Sequence, residues 1–547
     1  MMLFQRKRPA VAPHFQPVTL SAETKGEVLA SYTICGAQVD ISQDQGRGRY
    51  TIREPLLSVE ETRLLSLILE RLYYSLGPLD SSDAGELRKY VDAHLEDTCD
   101  ELGVLEVVRP RIDAFDYYVH REIGYSMIQT PMMDPDVEEV ECTGPGRPVT
   151  VVHRVFSEFP RLETNAMFGS EEELSRFVER MAERGGKSVS VAVPKQDFMV
   201  SEGHRVSVTY SNEITRPGST FTVRKFPDKP YTITELFNFN TISPLEAAYL
   251  WILAEARRFI MIAGPTGSGK TTMLNSLLTM LDPLAKIATI EDDPELRLPH
   301  GNWLRYFTRS PSFAGVKAIG MDELVRHSLR NRPDYIVVGE VRGTEIADLV
   351  QAVATGHGGL NSFHAASYQD IMARITGLLA PDLASEFRHL ISAVVVMRRV
   401  VRPDTGKMVR RVVEILEPDT RGEGSPVRIF CWNHATDTHD VDRNLREEVK
   451  MNKPADGQRP KKTRAAAHLK TLHPQEGTNR EVLTRYSQAL RVSAEMVGWS
   501  VAQLDEELSA RWDFLNSLLT EGVREYADVA SRLSRFYYER KVGRRKR

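Results

Sequence analysis

Between Ser58 and Leu76 apolar residues return at helical spacing (Leu64, Leu65, Leu67, Ile68, Leu72), and Ala84 to Leu102 gives a second amphipathic stretch. A small helical region is therefore predicted to open the folded part. Ahead of it, Met1 to about Gln45 is irregular, with scattered Pro and polar residues, which predicts a mobile or partner-ordered arm. Near Leu105 the pattern changes to short β-type runs: Val149 to Val155, Val189 to Val193, Val206 to Tyr210 and Thr220 to Val223. They are interleaved with one clear helix, Glu171 to Arg184, entered through Ser170 as its N-cap, so a compact α+β domain is expected. Pro227, Pro230 and Asn238-Phe239-Asn240-Thr241 mark a hinge, and Ser243-Pro244 caps the helix that follows.

Beyond the hinge the strand-like runs are short and mostly apolar. Arg258 to Ala263, Lys286 to Ile290, Tyr335 to Val338 and Ala393 to Val396 read as buried strands, with a helix from Thr272 to Leu281 after the first. Arg398, Arg399, Arg402, Arg410 and Arg411 flank a hairpin turned at Asp404-Thr405-Gly406, predicted to be the far edge of the sheet. Asn452 to about Asn479 reads as a polar linker, and Glu481 to Tyr538 as a charged helical region suited to docking onto a neighbour. The expected organisation is an arm at 1–45, a helical region at 46–104, an α+β domain at 105–232, a nucleotide domain at 233–450, a linker at 451–480 and a helical C-terminal region at 481–547.

Composition narrows this only slightly. A chain of 547 residues with 41% hydrophobic content supports several ordinary cores. Apolar runs such as Ile391 to Met397 fall well short of the roughly 20 residues of a membrane span, and the N-terminus lacks a signal-peptide core, so membrane contact is expected to be peripheral. Cys35, Cys99, Cys142 and Cys431 are widely spread, which argues against a zinc site or a disulfide framework and fits a reducing cytosol. A net charge of -4 gives no global attraction to nucleic acid. The basic ends, Arg6-Lys7-Arg8 and Arg544-Arg545-Lys546-Arg547, read as solvated tails.

The chemistry begins at Gly264-Pro265-Thr266-Gly267-Ser268-Gly269-Lys270-Thr271, followed by Thr272. It fits the phosphate-cradling pattern between a strand and a helix. The glycines let backbone N–H groups turn onto a phosphate, and the helix adds its positive N-terminal end. Lys270 is placed to bridge β- and γ-phosphates of ATP, and the Thr271 hydroxyl to ligate Mg²⁺. Carboxylates follow two later strands. Glu291 opens Glu291-Asp292-Asp293-Pro294-Glu295, and Glu340 sits in Gly339-Glu340-Val341-Arg342, where Gly339 stands in the place many P-loop proteins give to Asp. Glu291 and Glu340 are rival candidates for the general base, Glu340 also for the metal. His357 and His364 bracket a Gly-rich turn, and both are expected to sense the γ-phosphate by hydrogen bonding.

Four boxes, in order, resemble the secretion and pilus-assembly ATPase superfamily: the P-loop, Thr289 to Glu295 as the aspartate box, Val338 to Arg342 as an unusual Walker B, and Thr355-Gly356-His357 with Phe363-His364-Ala365 as the histidine box. Pro131 to Pro135 through Glu163-Thr164-Asn165, Gly203-His204-Arg205 through Phe221 to Phe226, and Glu295 to His300 with Asn302-Trp303 are similar to its archaeal branch, which drives archaella and type IV-like pili. The resemblance implies a RecA-like P-loop domain preceded by a smaller α+β domain, with nucleotide between them, in a homo-hexameric ring. It implies an ATP motor acting on a polytopic membrane platform protein from the cytoplasmic side, through which contact with the membrane's inner face is made, and no nucleic-acid partner. An arginine finger is then expected from Arg205, Arg216 or Arg224, with Arg342 a nearer sensor. Two alternatives are a RecA-like nucleic-acid motor, which would need a basic, aromatic-studded loop, and a nucleotide-gated scaffold without turnover.

Overall fold

The computed structural model describes residues 19–545 apart from 21, 78–83, 227–228, 310–316, 344, 403, 419–424 and 443–475. The first basic cluster, the last two residues of the second and most of the expected linker lie outside the described residues. The chain divides into two compact units, 1–227 and 228–547.

The first unit begins with three strands, β1 (Glu27–Ile34) and β2 (Ala37–Asp44) where the sequence predicts an arm, and β3 (Arg47–Arg53) at the start of the region expected to be helical. The correction has a local cause. Two-residue turns at Cys35-Gly36 and Gln45-Gly46 carry positive φ throughout (47° and 98°, 49° and 79°), the conformation whose twist matches antiparallel strands. Their sequences are not the Asn-Gly or Asp-Gly pairs that signal such turns. Next come α1 (Val59–Ser75), α2 (Ala84–Glu101), α3 (Leu105–Val108), α4 (Ile112–Ile123) and α5 (Gln129–Met133). The strands β4 (Val137–Cys142), β5 (Pro148–His153) and β6 (Leu162–Met167) precede α6 (Glu171–Arg184), and β7 (Lys195–Met199), β8 (Arg205–Thr209) and β9 (Thr220–Arg224) close the unit.

All nine strands form one sheet in the order β1-β2-β3-β6-β5-β4-β9-β8-β7. Leu65, Ile68, Leu72, Val91 and Leu95 of the helices share a core with Val140, Val151, Phe177 and Phe221, so the helical region is part of the same body as the sheet. The run Val189 to Val193 is a tight turn closed by a Ser190–Val193 bridge; Val191 and Val193 are exposed, and the strand starts only after Pro194.

The second unit contains α7 (Ile233–Asn238), α8 (Pro244–Glu255), β10 (Phe259–Ala263), α9 (Lys270–Thr279), β11 (Ile287–Glu291), β12 (Trp303–Phe307), α10 (Met321–Leu329) and β13 (Tyr335–Val341). It continues with α11 (Glu345–Ala354), β14 (Gly358–Phe363), α12 (Tyr368–Leu378), α13 (Pro381–Leu390) and β15 (Ile391–Val401), then β16 (Met408–Glu417), β17 (Val427–Asn433) and β18 (Thr438–Val441). The sheet order is β12-β11-β13-β14-β10-β15-β16-β17-β18, parallel through β15 and antiparallel after it. This is the α/β, RecA-like arrangement. Its central strands are buried on both faces, which is why they read as continuous apolar runs. The Arg-flanked hairpin β15–β16 is not the far edge; β17 and β18 continue the sheet beyond it.

Four C-terminal helices, Glu476–Tyr486, Gln488–Met496, Val501–Thr520 and Tyr526–Arg545, pack onto this same unit. Leu504, Leu508, Trp512, Leu515, Leu533 and Tyr537 join the core of α8. Every residue of α8 from Leu245 to Ala254 is buried, and a helix that is apolar all round needs such a cover.

Candidate nucleotide site

The carboxyl ends of the parallel strands meet at one edge of the second unit, the edge where open α/β sheets bind ligands. From β10 the chain enters the P-loop, with Gly267 and Gly269 at φ of 74° and 94°, a region side chains avoid. A Cβ at Gly264 would lie 2.4 Å from Ser268 Oγ and 2.6 Å from Met397 O. The loop closes on itself only with glycine there. No side chain caps α9 at Gly269, and the positive end of the helix meets the loop there. Ser268 Oγ is buried without a partner. An uncapped helix N-terminus, an orphaned hydroxyl and a cation together fit a nucleotide's phosphates.

That cation is Lys270, only 8% exposed. Its Nζ donates to Gly264 O at 3.0 Å and Pro265 O at 3.2 Å, and lies 3.3 Å from His364 Nδ1. An ammonium only donates and a carboxylate only accepts, so His364 accepts at Nδ1 and donates from Nε2 to Glu340 Oε1. The other Glu340 oxygen takes Arg342 Nη2, and Arg342 Nη1 reaches Asp292 Oδ2 at 3.2 Å. Thr308 Oγ1 donates to Asp292 Oδ1 at 2.8 Å. Residues from the P-loop, β11, β13 and β14 are thereby joined in one polar chain.

Glu291 stands apart from that chain. It is 2% exposed; Oε1 accepts from the amides of Glu295 (3.0 Å) and Leu296 (2.8 Å), while Oε2 has no partner. Burial pushes its carboxyl up to about 7, against the pull of those amides. The missing Asp now has a reason: a Cβ at Gly339 would lie 3.1 Å from Glu291 Cγ, so Glu291 occupies the space beside Gly339.

His357 is not in the site, contrary to the expectation that both histidines face the γ-phosphate. It precedes β14 and His364 follows it, so a six-residue strand, roughly 20 Å at 3.3 Å per residue, separates them. Its Nδ1 instead meets Ala352 O at 3.0 Å and Thr355 Oγ1 at 3.1 Å, closing the turn after α11. Arg205, Arg216 and Arg224 belong to the first unit, where Arg205 and Arg224 are register partners on β8 and β9 and Arg216 is exposed in the connecting loop.

Several contributors escaped sequence reasoning. Arg410 Nε donates to Gly267 O at 3.0 Å, and a Cβ at Gly267 would lie 3.8 Å from Arg399 Nη1. These arginines are register partners on β15 and β16, so the hairpin flanks the P-loop. Glu345 accepts from the amides of Arg342 and Gly343 and fixes the turn behind Glu340. Asn275 of α9 accepts from Arg297 N at 2.8 Å, tying the P-loop helix to the segment after Glu291.

The chain is similar to known proteins. The family model described as "Type II/IV secretion system protein" matches residues 196–465. An uncharacterised protein of Methanocaldococcus jannaschii is 35% identical over 332 residues, covering 60% of this chain and 59% of its own length. A second protein of that archaeon is matched over 43% of its length, so the chain spans about half the length of these two relatives. A putative conjugal transfer protein of Mycobacterium tuberculosis is 32% identical over 275 residues, 49% of this chain and 77% of that one. Among solved structures, the VirB11 ATPase of the Brucella suis type IV secretion system aligns at 23% identity and a TM-score of 0.27, over 52% of this chain and 93% of that one.

Proposed function

The chain belongs to the type II/IV secretion system protein family, and from that premise we propose that it is a Mg²⁺-dependent ATP hydrolase whose turnover drives a secretion or type IV pilus-like machine. The observation that carries this reading is the polar chain from Lys270 through His364, Glu340 and Arg342 to Asp292, set at the mouth of an open P-loop.

Lys270 exchanges its loop carbonyls for the β- and γ-phosphates, and the amides of Gly267, Ser268, Gly269 and Thr271 surround them, with Pro265, Thr266 and Thr272 shaping the loop. Thr271 and Glu340 would hold Mg²⁺, which when bound neutralises charge building on the phosphates. Glu340 would offer the ion lone pairs beside those that accept from His364 and Arg342. Glu291 is the better general base. Its free Oε2 and carboxyl near 7 suit it to take a proton from the attacking water and return it. His364, held between Lys270 and Glu340, registers whether Lys270 has moved onto phosphate. An arginine among Arg205, Arg216 and Arg224 supplies the cation opposite the γ-phosphate.

The assembly in this proposal is a homo-hexamer, and the partner is a polytopic platform protein at the inner face of the cell membrane. No described helix is long and apolar enough to cross a membrane itself. ATP turnover measured across protein concentration, with mass by light scattering, tests the ring. Turnover per protomer should rise as hexamers form; a monomer with concentration-independent turnover would contradict it.

A further inference from the structure

β13 and β14 pair in register up to Val338 and Asn361, and pairing resumes at Val341 and Phe363. Three steps along β13 thus face two along β14, and Gly339-Glu340 forms a bulge opposite Ser362. The packing confirms the change of phase. Ile336 and Val338 share an apolar cluster, and the next residue of β13 in that cluster is Val341. In a regular strand Glu340 would point there. The bulge gives that place to Val341 and turns the carboxylate out toward His364 and Arg342.

Two side chains of β14 grip the bulge. Asn361 Oδ1 accepts from Val338 N at 2.7 Å, and Ser362 Oγ donates to Gly339 O at 2.5 Å. As neighbours on a strand they leave it on opposite faces, so the bulge is held from both sides. Both are buried, at 0% and 1% exposure, where an apolar residue would pack without desolvation cost. Asn361 Nδ2 has no partner at all, so its amide is retained for the single bond to Val338.

We propose that Asn361 and Ser362 are positioning residues for Glu340, maintaining the bulge that aims its carboxylate. The inference rests on the reading of Glu340 as part of the ATP site.

The test uses the full chain and steady-state ATP hydrolysis. Ser362→Ala should lower kcat roughly 10- to 100-fold with KM for ATP held and only the modest fall in thermal midpoint that one lost buried hydrogen bond brings, and Ser362→Thr, which keeps the hydroxyl, should restore it. Asn361→Leu, close in volume and free of the orphaned amide, carries the same expectation should Ser362→Ala fail to fold. In a Glu340→Gln background Ser362→Ala should add no further loss, since both act through one group. A slow Glu340→Gln beside a fully active Ser362→Ala and Asn361→Leu would overturn the positioning role alone. A fully active Glu340→Gln would overturn the reading of Glu340 itself. Losses that multiply in the double variant would place Ser362 on another step and also overturn the proposal.

Discussion

Glu291 makes the site's chemistry and its stability oppose each other. Burial raises its carboxyl from 4.5 to about 7, so the folded protein keeps a proton that the unfolded chain releases between those values. The associated stability is present below pH 4.5 and is lost as pH rises through about 7, amounting to about 3 kcal/mol. Glu291→Gln, which never ionises, should match the wild type at pH 4.5 and exceed it by about 3 kcal/mol at pH 8 in denaturant unfolding with chelator present. It should also lose most turnover. A stability difference independent of pH would contradict the buried carboxyl. From sequence Gly339 could be read only as an absent Asp, because the side chain that fills its place arrives from a different strand. The P-loop's place between a strand and a helix was legible because the loop, its glycines and its helix are contiguous.

At the scale of elements, the direction of β14 separates the two histidines. His364→Ala breaks the link between Lys270 and Glu340 and should lower kcat roughly 10-fold or more. His357→Ala removes only a turn contact and should leave nucleotide affinity unchanged, costing about 0.5–1.5 kcal/mol of stability. Titrating a fluorescent ATP analogue and melting both variants checks the pair; a large affinity loss in His357→Ala would contradict its placement. The histidine box looks like one motif in sequence because a strand of six residues is short on paper. The β1–β3 meander was hidden similarly: its two turns use Cys-Gly and Gln-Gly, and only the backbone reveals their positive φ. The apolar central strands were legible because burial on both faces leaves an unbroken sequence signal.

For the whole molecule, the C-terminal helices are part of the P-loop unit. Trp251 Nε1 donates to Tyr537 OH at 2.7 Å, and Tyr537 OH donates to Met280 O at 3.0 Å, just past the P-loop helix. Arg511 is buried beside Glu255 and Glu507 in the same cover. Tyr537→Phe should therefore destabilise the protein by about 1–3 kcal/mol, since it strands buried partners; an unchanged thermal midpoint would detach the tail from the core. That packing was not legible from the tail, whose charged surface residues dominate its pattern. The clue lay in α8, whose Ala247-Ala248-Tyr249-Leu250-Trp251-Ile252-Leu253-Ala254 has no polar face and demands a cover from somewhere. The most direct test of the molecule as a motor is phosphate release from Mg-ATP by the wild type and by Lys270→Ala at matched concentration and oligomeric mass. Turnover by the wild type, abolished in a folded Lys270→Ala, is the expected result; equal rates in the two proteins, or none in either, would contradict ATP hydrolysis at this P-loop.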